Sequence, residues 1–152
     1  MKKAFTLVEI LVGMLIMGIL MGVVSLSYRD YTRRQQVSSA ARQLRADLID
    51  AQQQALAGNK KGCSGILDRY TIARISSTQY QIAVYCTGPL FSTIYKNPQL
   101  PPNIVMGNFS NFSFRPVAEG TDISGSFVTI TLSASGTTYT EIITISASGG
   151  IK

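Results

Sequence analysis

The sequence predicts an α+β chain in which a long N-terminal helix packs against an antiparallel β-sheet head. The prediction rests on an apolar run over residues 5–26, an apolar stripe at helical spacing over 37–55, and alternating segments after Gly65. A chain of 152 residues suits one head plus an extended helix. We divide it into residues 1–4 as a basic leader, 5–27 as a transmembrane helix, 28–58 as its amphipathic continuation, and 59–152 as the head.

The apolar run favours insertion into a membrane. Residues 5–26 are long enough to cross a bilayer as a helix, which needs about 20 apolar residues. A secretory signal peptide would have a shorter apolar core followed by small residues, but this run leads directly into Tyr28 and Arg29. Glu9 lies inside the run, and a charge there costs a few kcal/mol in hydrocarbon. We therefore expect a partner group that offsets this cost.

The segment Lys3-Ala4-Phe5-Thr6-Leu7-Val8-Glu9, followed by the apolar run, resembles the N-terminus of type IV pilin-like proteins. The resemblance implies that a prepilin peptidase cleaves between Ala4 and Phe5 and that Phe5 is then N-methylated. It also implies that Glu9 guides assembly, because a neighbour's new ammonium can pair with it in the filament core and fix the axial register. Ala4 stands where the family usually has Gly.

The flanking charges do not decide the orientation of the predicted transmembrane helix. Lys2 and Lys3 lie before it, and three arginines lie just after it. The resemblance implies a cytoplasmic leader and an extracytoplasmic head, so the expected location is the bacterial inner membrane, single-pass, and then a pilus or pseudopilus.

The helix is expected to continue beyond the membrane with one apolar face. Steps of four and three residues join the stripe Val37, Ala41, Leu44, Leu48, Ala51 and Ala55. Four charged residues fall off this stripe: Arg42, Arg45, Asp47 and Asp50. Gly58-Asn59 is the predicted helix stop.

The head reads as strands and turns. The predicted strands are Tyr70–Ile75, Tyr80–Cys86, Phe112–Arg115, Phe127–Leu132 and Tyr139–Ala147. Pro98, Pro101 and Pro102 indicate a loop. One antiparallel sheet that covers the helix stripe is the simplest architecture.

Two further segments resemble the GspH/FimT branch of pseudopilins and minor pilins. One is Leu44-Arg45-Ala46-Asp47-Leu48, followed by residues 52–57, and the other is the ending Gly149-Gly150-Ile151-Lys152 after two Thr-rich strands.

The two cysteines, Cys63 and Cys86, lack the spacing of a metal site, and the sequence contains no His. In an extracytoplasmic domain a disulfide is the default interpretation. It would close a loop of about two dozen residues and contribute about 3 kcal/mol. Two unpaired buried thiols are the alternative.

The sequence offers little catalytic chemistry. Without His, a His-based triad or general base is excluded. Glu119 and Asp122 share a loop and could supply oxygens to calcium, although a solvated loop is the preferred interpretation. We expect no metal, no cofactor and no enzymatic activity.

The predicted function is that of a structural subunit, a minor pilin or pseudopilin of a type IV pilus or type II secretion filament. Its expected partners are other pilins or pseudopilins, the prepilin peptidase, the inner-membrane assembly platform and membrane lipid. One alternative is a DNA-binding minor pilin for natural transformation, because such proteins use a Gly-Arg-x-Arg ending that Gly149 and Lys152 match loosely. Residues 62–152 carry only 5 basic against 4 acidic residues, so their charge does not favour DNA. A major pilin is the other alternative.

Overall fold

The computed structural model describes residues 7–88, 92–116, 120–136 and 138–152, and within the helix it describes no side chains for residues 23–27. In these ranges one helix precedes seven strands. The elements are α1 (Leu7–Leu56), β1 (Ile66–Ser76), β2 (Gln79–Thr87), β3 (Ser92–Lys96), β4 (Ile104–Met106), β5 (Phe112–Phe114), β6 (Phe127–Ala134) and β7 (Thr140–Ser146). The α+β class predicted from the sequence is confirmed.

Helix α1 has 50 residues and is therefore about 75 Å long at about 1.5 Å per residue. It ends in a Schellman motif at the predicted stop. The Asn59 amide donates to the Gln54 carbonyl and the Gly58 amide to the Ala55 carbonyl, both at 3.0 Å. Gly58 has a φ of 66°, a left-handed conformation that glycine adopts without steric cost.

The head contains two antiparallel sheets, so the expectation of a single sheet is wrong. The first sheet has the order β3-β2-β1-β5 and the second sheet the order β4-β6-β7. They meet at Thr121, which pairs with Phe114 of the first sheet and donates its amide to the Ala147 carbonyl, just after β7, at 3.3 Å. Two sheets form because β4 pairs with β6 and β5 pairs with β1. The hairpins β1–β2 and β6–β7 therefore do not pair with each other.

Strands β3 and β4 were not predicted. They have five and three residues, and they lie on either side of the proline-rich loop that was predicted around Pro98 and Pro101. Segments this short carry too few alternations to be distinguished from loop by pattern.

The helix stripe is confirmed as the centre of the core. Val37, Leu44 and Leu48 have no exposed surface, and neither do Ala51 and Ala55. The stripe packs against inward-facing side chains of both sheets, among them Tyr70, Ile72, Ile82, Ile130, Leu132, Ile143 and Ile145. The alanines along the stripe leave room for these larger side chains.

The other half of the helix has no such cover. Every described side chain from Leu7 to Gly22 is exposed, and the large apolar ones are 49% to 79% exposed. The predicted transmembrane helix, residues 5–27, lies partly outside the described residues. Within the described part of the chain, no helix is both long and apolar enough to cross a membrane.

A disulfide joins Cys63 to Cys86, with 6.0 Å between their Cα atoms. It ties the segment after the helix to the end of β2. Gly65 passes so close to β2 that a Cβ on it would lie 1.8 Å from the Thr87 carbonyl oxygen, and its φ of 96° is left-handed. The backbone at this crossing therefore requires glycine.

We predict that the disulfide is present in the exported protein and stabilises it. The double variant Cys63→Ser/Cys86→Ser should lose about 3 kcal/mol of unfolding free energy, because the unfolded chain regains the entropy of the open loop. Chemical denaturation of the full chain in neutral detergent measures this. Labelling of unfolded, non-reduced wild type should detect no free thiol, and two labelled thiols per chain would contradict the prediction.

Candidate functional site

The first described turn of the helix carries Glu9, on a face surrounded by apolar side chains. Glu9 is exposed and lies in the first turn of α1, where a carboxylate is favoured by the partial positive charge of the helix N-terminus. Val12, three residues along and therefore next to Glu9 on the same face, is 49% exposed. Ala4 and Phe5, the predicted cleavage and methylation residues, lie outside the described residues.

A cluster of charged and phenolic groups joins the other half of the helix to the first sheet. The two carboxylates, Asp47 and Asp50, are three residues apart and so lie on one side of α1. The Lys96 ammonium, at the end of β3, donates to both at 2.7 Å. The Tyr80 hydroxyl donates to Asp47 at 2.6 Å and the Tyr95 hydroxyl to Asp50 at 2.8 Å. We call these five residues the helix–sheet clamp.

The clamp was not predicted from the sequence, where Asp47 falls off the apolar stripe. Its place off the stripe does not make it exposed, since Asp47 is only 4% exposed. The usable signal was its spacing, because a residue three after Leu44 and four before Ala51 borders the stripe. Its partners on β2 and β3 come from far along the chain, and no helix pattern identifies them.

Burial, charges and hydrogen bonds in the clamp shift the pKa values of its groups. Burial alone would lower the pKa of Lys96, but hydrogen bonds to Asp47 and Asp50 raise that pKa above its ordinary value of 10.5. The hydrogen bond from Lys96 in turn lowers the pKa of Asp50. Burial, and then hydrogen bonding to the carboxylates, raise the pKa values of Tyr80 and Tyr95.

The segment Gly149–Lys152, which carries the candidate DNA contact, folds back along the edge of the second sheet. Ile151 pairs with Ile145, and the Lys152 amide donates to the Thr144 carbonyl at 3.0 Å. The Gln52 side-chain amide, on the helix, donates to the Gly149 carbonyl at 2.9 Å. Lys152 is therefore held at a fixed place on the sheet edge with its side chain exposed.

Most other head cations are already engaged with protein groups. Lys96 belongs to the clamp, Arg69 pairs with Asp68 at 3.1 Å, and the Arg74 guanidinium donates to the Met106 carbonyl at 3.4 Å. The head therefore presents little unengaged positive charge.

The loop considered for calcium is only partly described. Glu119 lies outside the described residues, and the Asp122 carboxylate accepts a hydrogen bond from the Ser113 amide. The described residues contain no group of three side chains suited to hold a metal ion.

Comparison with protein-family models identifies the N-terminus. Residues 1–25 match the model of the prokaryotic N-terminal methylation motif. The chain has the N-terminus of a type IV pilin-like protein. Comparison with curated proteins gave no match, and comparison with solved structures gave none either.

The match confirms the prepilin-type motif predicted from the segment Lys3–Glu9 and supports the type IV pilin-like family. It supports a pilin-like subunit that is processed by a prepilin peptidase and assembles with other pilins. The match ends at residue 25, so it does not test the resemblance of the head to the GspH/FimT branch.

We predict that Lys96→Met lowers the unfolding free energy by about 2 kcal/mol. The value lies between those of exposed and fully buried ion pairs, because Asp47 is buried whereas Lys96 is 32% exposed. Chemical denaturation measures the change. The matched control is Lys60→Met, at an exposed lysine, which should change stability by less than about 0.5 kcal/mol. Equal effects of the two variants would contradict the clamp.

The clamp also predicts that the unfolding free energy falls at both acidic and alkaline pH. Asp50 has a lowered pKa in the folded state, so its contribution is present above the ordinary value of 3.8 and is lost as the pH falls through the lowered one. Lys96 and Tyr80 have raised pKa values, so their contributions are complete below 10.0 and are lost as the pH rises toward the raised values. Unfolding free energies measured across the pH range should show both limbs, and Lys96→Met should flatten the acid limb. An unchanged acid limb in that variant would show that Asp50 does not depend on Lys96.

Proposed function

We propose that the chain is a minor pilin or pseudopilin, a structural subunit of a type IV pilus or type II secretion filament. The observation that carries the proposal is the division of α1. The helix buries one half in the head and leaves exposed the apolar half, which lies within residues 1–25 of the methylation-motif match.

The exposed apolar half requires an apolar environment outside this chain. Exposed apolar surface this extensive indicates a membrane or a protein interface. A pilin-like subunit would meet both environments in turn. Its apolar half would lie in lipid before assembly and against the helices of neighbouring subunits afterwards. The proposed location is thus the inner membrane, with the head extracytoplasmic, and then the filament, with the assembly platform as a further partner.

Glu9 supplies the specificity that apolar packing lacks. Cleavage after Ala4 would create an ammonium at Phe5, and the same group on a neighbour could pair with Glu9 within the packed helices. Burying a carboxylate without a cation is costly, so subunits would pack best in the register that brings the two charges together. This is the role of a structural protein, not of an enzyme.

The test is the incorporation of Glu9→Val into filaments. The variant should insert into membranes like wild type, because it makes the segment more apolar. Its incorporation should fall at least about ten-fold, since one lost ion pair exceeds about 1.4 kcal/mol. Immunoblots of sheared filaments and of membrane fractions measure the two quantities.

The matched control is Asp30→Val, which also removes one exposed helix carboxylate but lies beyond the apolar half. It should incorporate normally. Normal incorporation of Glu9→Val, or an equal defect in Asp30→Val, would contradict the assigned role of Glu9.

Uptake of DNA is the second candidate, and the exposed position of Lys152 on the fixed sheet edge favours it. Because the other head cations are largely engaged, we predict only weak, salt-sensitive binding of duplex DNA by the full chain. In gel shifts at near-physiological salt, Lys152→Ala and the control Lys60→Ala should have similarly small effects. Tight binding abolished by Lys152→Ala alone would make this a DNA-uptake pilin.

A further inference from the structure

A cleft opens where the helix leaves the head. It has a volume of about 510 Å³ and lies between one face of α1 and the turn that follows β6. The helix contributes Arg29, Thr32, Arg33 and Gln36, and the turn contributes Ser135 and Gly136.

The other residues that line the cleft do not neutralise the positive charges of Arg29 and Arg33. Arg29 and Arg33 are four residues apart and therefore neighbours on one helix face, a spacing at which like charges repel. No acidic residue lies among the described residues that line the cleft. Asp30 lines a different cleft, beside Arg34. An anion bound between the two guanidinium groups would relieve this repulsion.

The donors are partly positioned in advance. The Arg33 guanidinium is half-buried and donates to the Gly136 carbonyl at 3.4 Å, which holds it against the head. Arg29 is exposed on the same face. Guanidinium groups present paired N–H donors that match phosphate oxygens, and the Ser135 hydroxyl and Gln36 amide can add neutral donors.

The position along the helix indicates the source of the phosphate. Arg29 follows residue 27, the end of the predicted transmembrane segment, by two residues, or about 3 Å at about 1.5 Å per residue, and Arg33 follows it by six, or about 9 Å. The polar headgroup layer of a bilayer begins at the hydrocarbon edge and is about 5–8 Å deep on each side. A phosphate of that layer would thus lie close to Arg29 and Arg33 if the apolar half lies in lipid.

We propose that this cleft binds the phosphate of an anionic phospholipid headgroup and seats the head against the membrane before assembly. The inference rests on the proposed membrane anchoring of the apolar half. The basic stretch as a whole favours the same surface, since residues 28–42 contain four Arg and one Asp, a net charge of +3.

The test measures binding of short-chain phosphatidylglycerol to the full chain in neutral detergent. Wild type should bind it about ten-fold more tightly than short-chain phosphatidylcholine, which has the same phosphate but adds a choline cation that the two guanidinium groups repel. Arg29→Gln should abolish that preference. The matched control Arg42→Gln removes the same charge from an exposed helix position outside the cleft and should retain it. Circular dichroism should show that both variants fold like wild type.

Three results would overturn the proposal. Equal losses in Arg29→Gln and Arg42→Gln would show attraction to net charge without a site. Inorganic phosphate bound as tightly as phosphatidylglycerol would show a site for the free anion, and a DNA duplex that displaces the lipid would reassign the cleft to nucleic acid. Because the assay is done in micelles, it requires neither membrane insertion nor filaments. Normal incorporation of Glu9→Val would therefore contradict the proposed filament role of Glu9 and leave the lipid result standing.

Discussion

A single helix of 50 residues has to suit two environments, and the rest of the structure depends on how it divides. From Val37 to Ala55 its apolar stripe is buried against two sheets, whereas from Leu7 to Gly22 its side chains are exposed. A head without the helix would lose the central part of its core. The helix without the head would expose its apolar stripe in addition to its apolar N-terminal half.

The helix–sheet clamp gives this joint a defined geometry. A stripe of Ala and Leu tolerates small sliding or rotation of the helix, because apolar packing has little directionality. The hydrogen bonds of Asp47 to Tyr80 and Lys96 do not tolerate it, since each depends on a short donor–acceptor distance. We interpret the clamp as fixing where the head sits along the helix. Placement of this kind matters for a subunit whose helix would set its position among neighbours.

Local patterns in the sequence predict one part of this fold and miss another. The helix, its stop at Gly58, the stripe and the strands β1, β2, β6 and β7 follow from local patterns, and the structure has all of them. The separation into two sheets does not follow, because it depends on which strands pair across long stretches of chain. Strands β3 and β4 are too short for alternation to show.

The candidate site shows the same limit. The motif that contains Glu9 could be recognised because it is contiguous, and the match over residues 1–25 agrees with the motif. The clamp and the basic cleft could not be recognised, because each joins helix residues to strands or turns at least 33 positions away. Only the spacing of Asp47 beside the stripe hinted that a charged residue would be buried there.

The most direct test of the central claim is the intact mass of the protein purified from its native membrane. A pilin-like subunit should have lost residues 1–4 and should begin at Phe5 with one added methyl group. Such a mass would establish processing between Ala4 and Phe5 even though Ala replaces the usual Gly. A mature protein that retains Met1, with no processed species, would contradict the account.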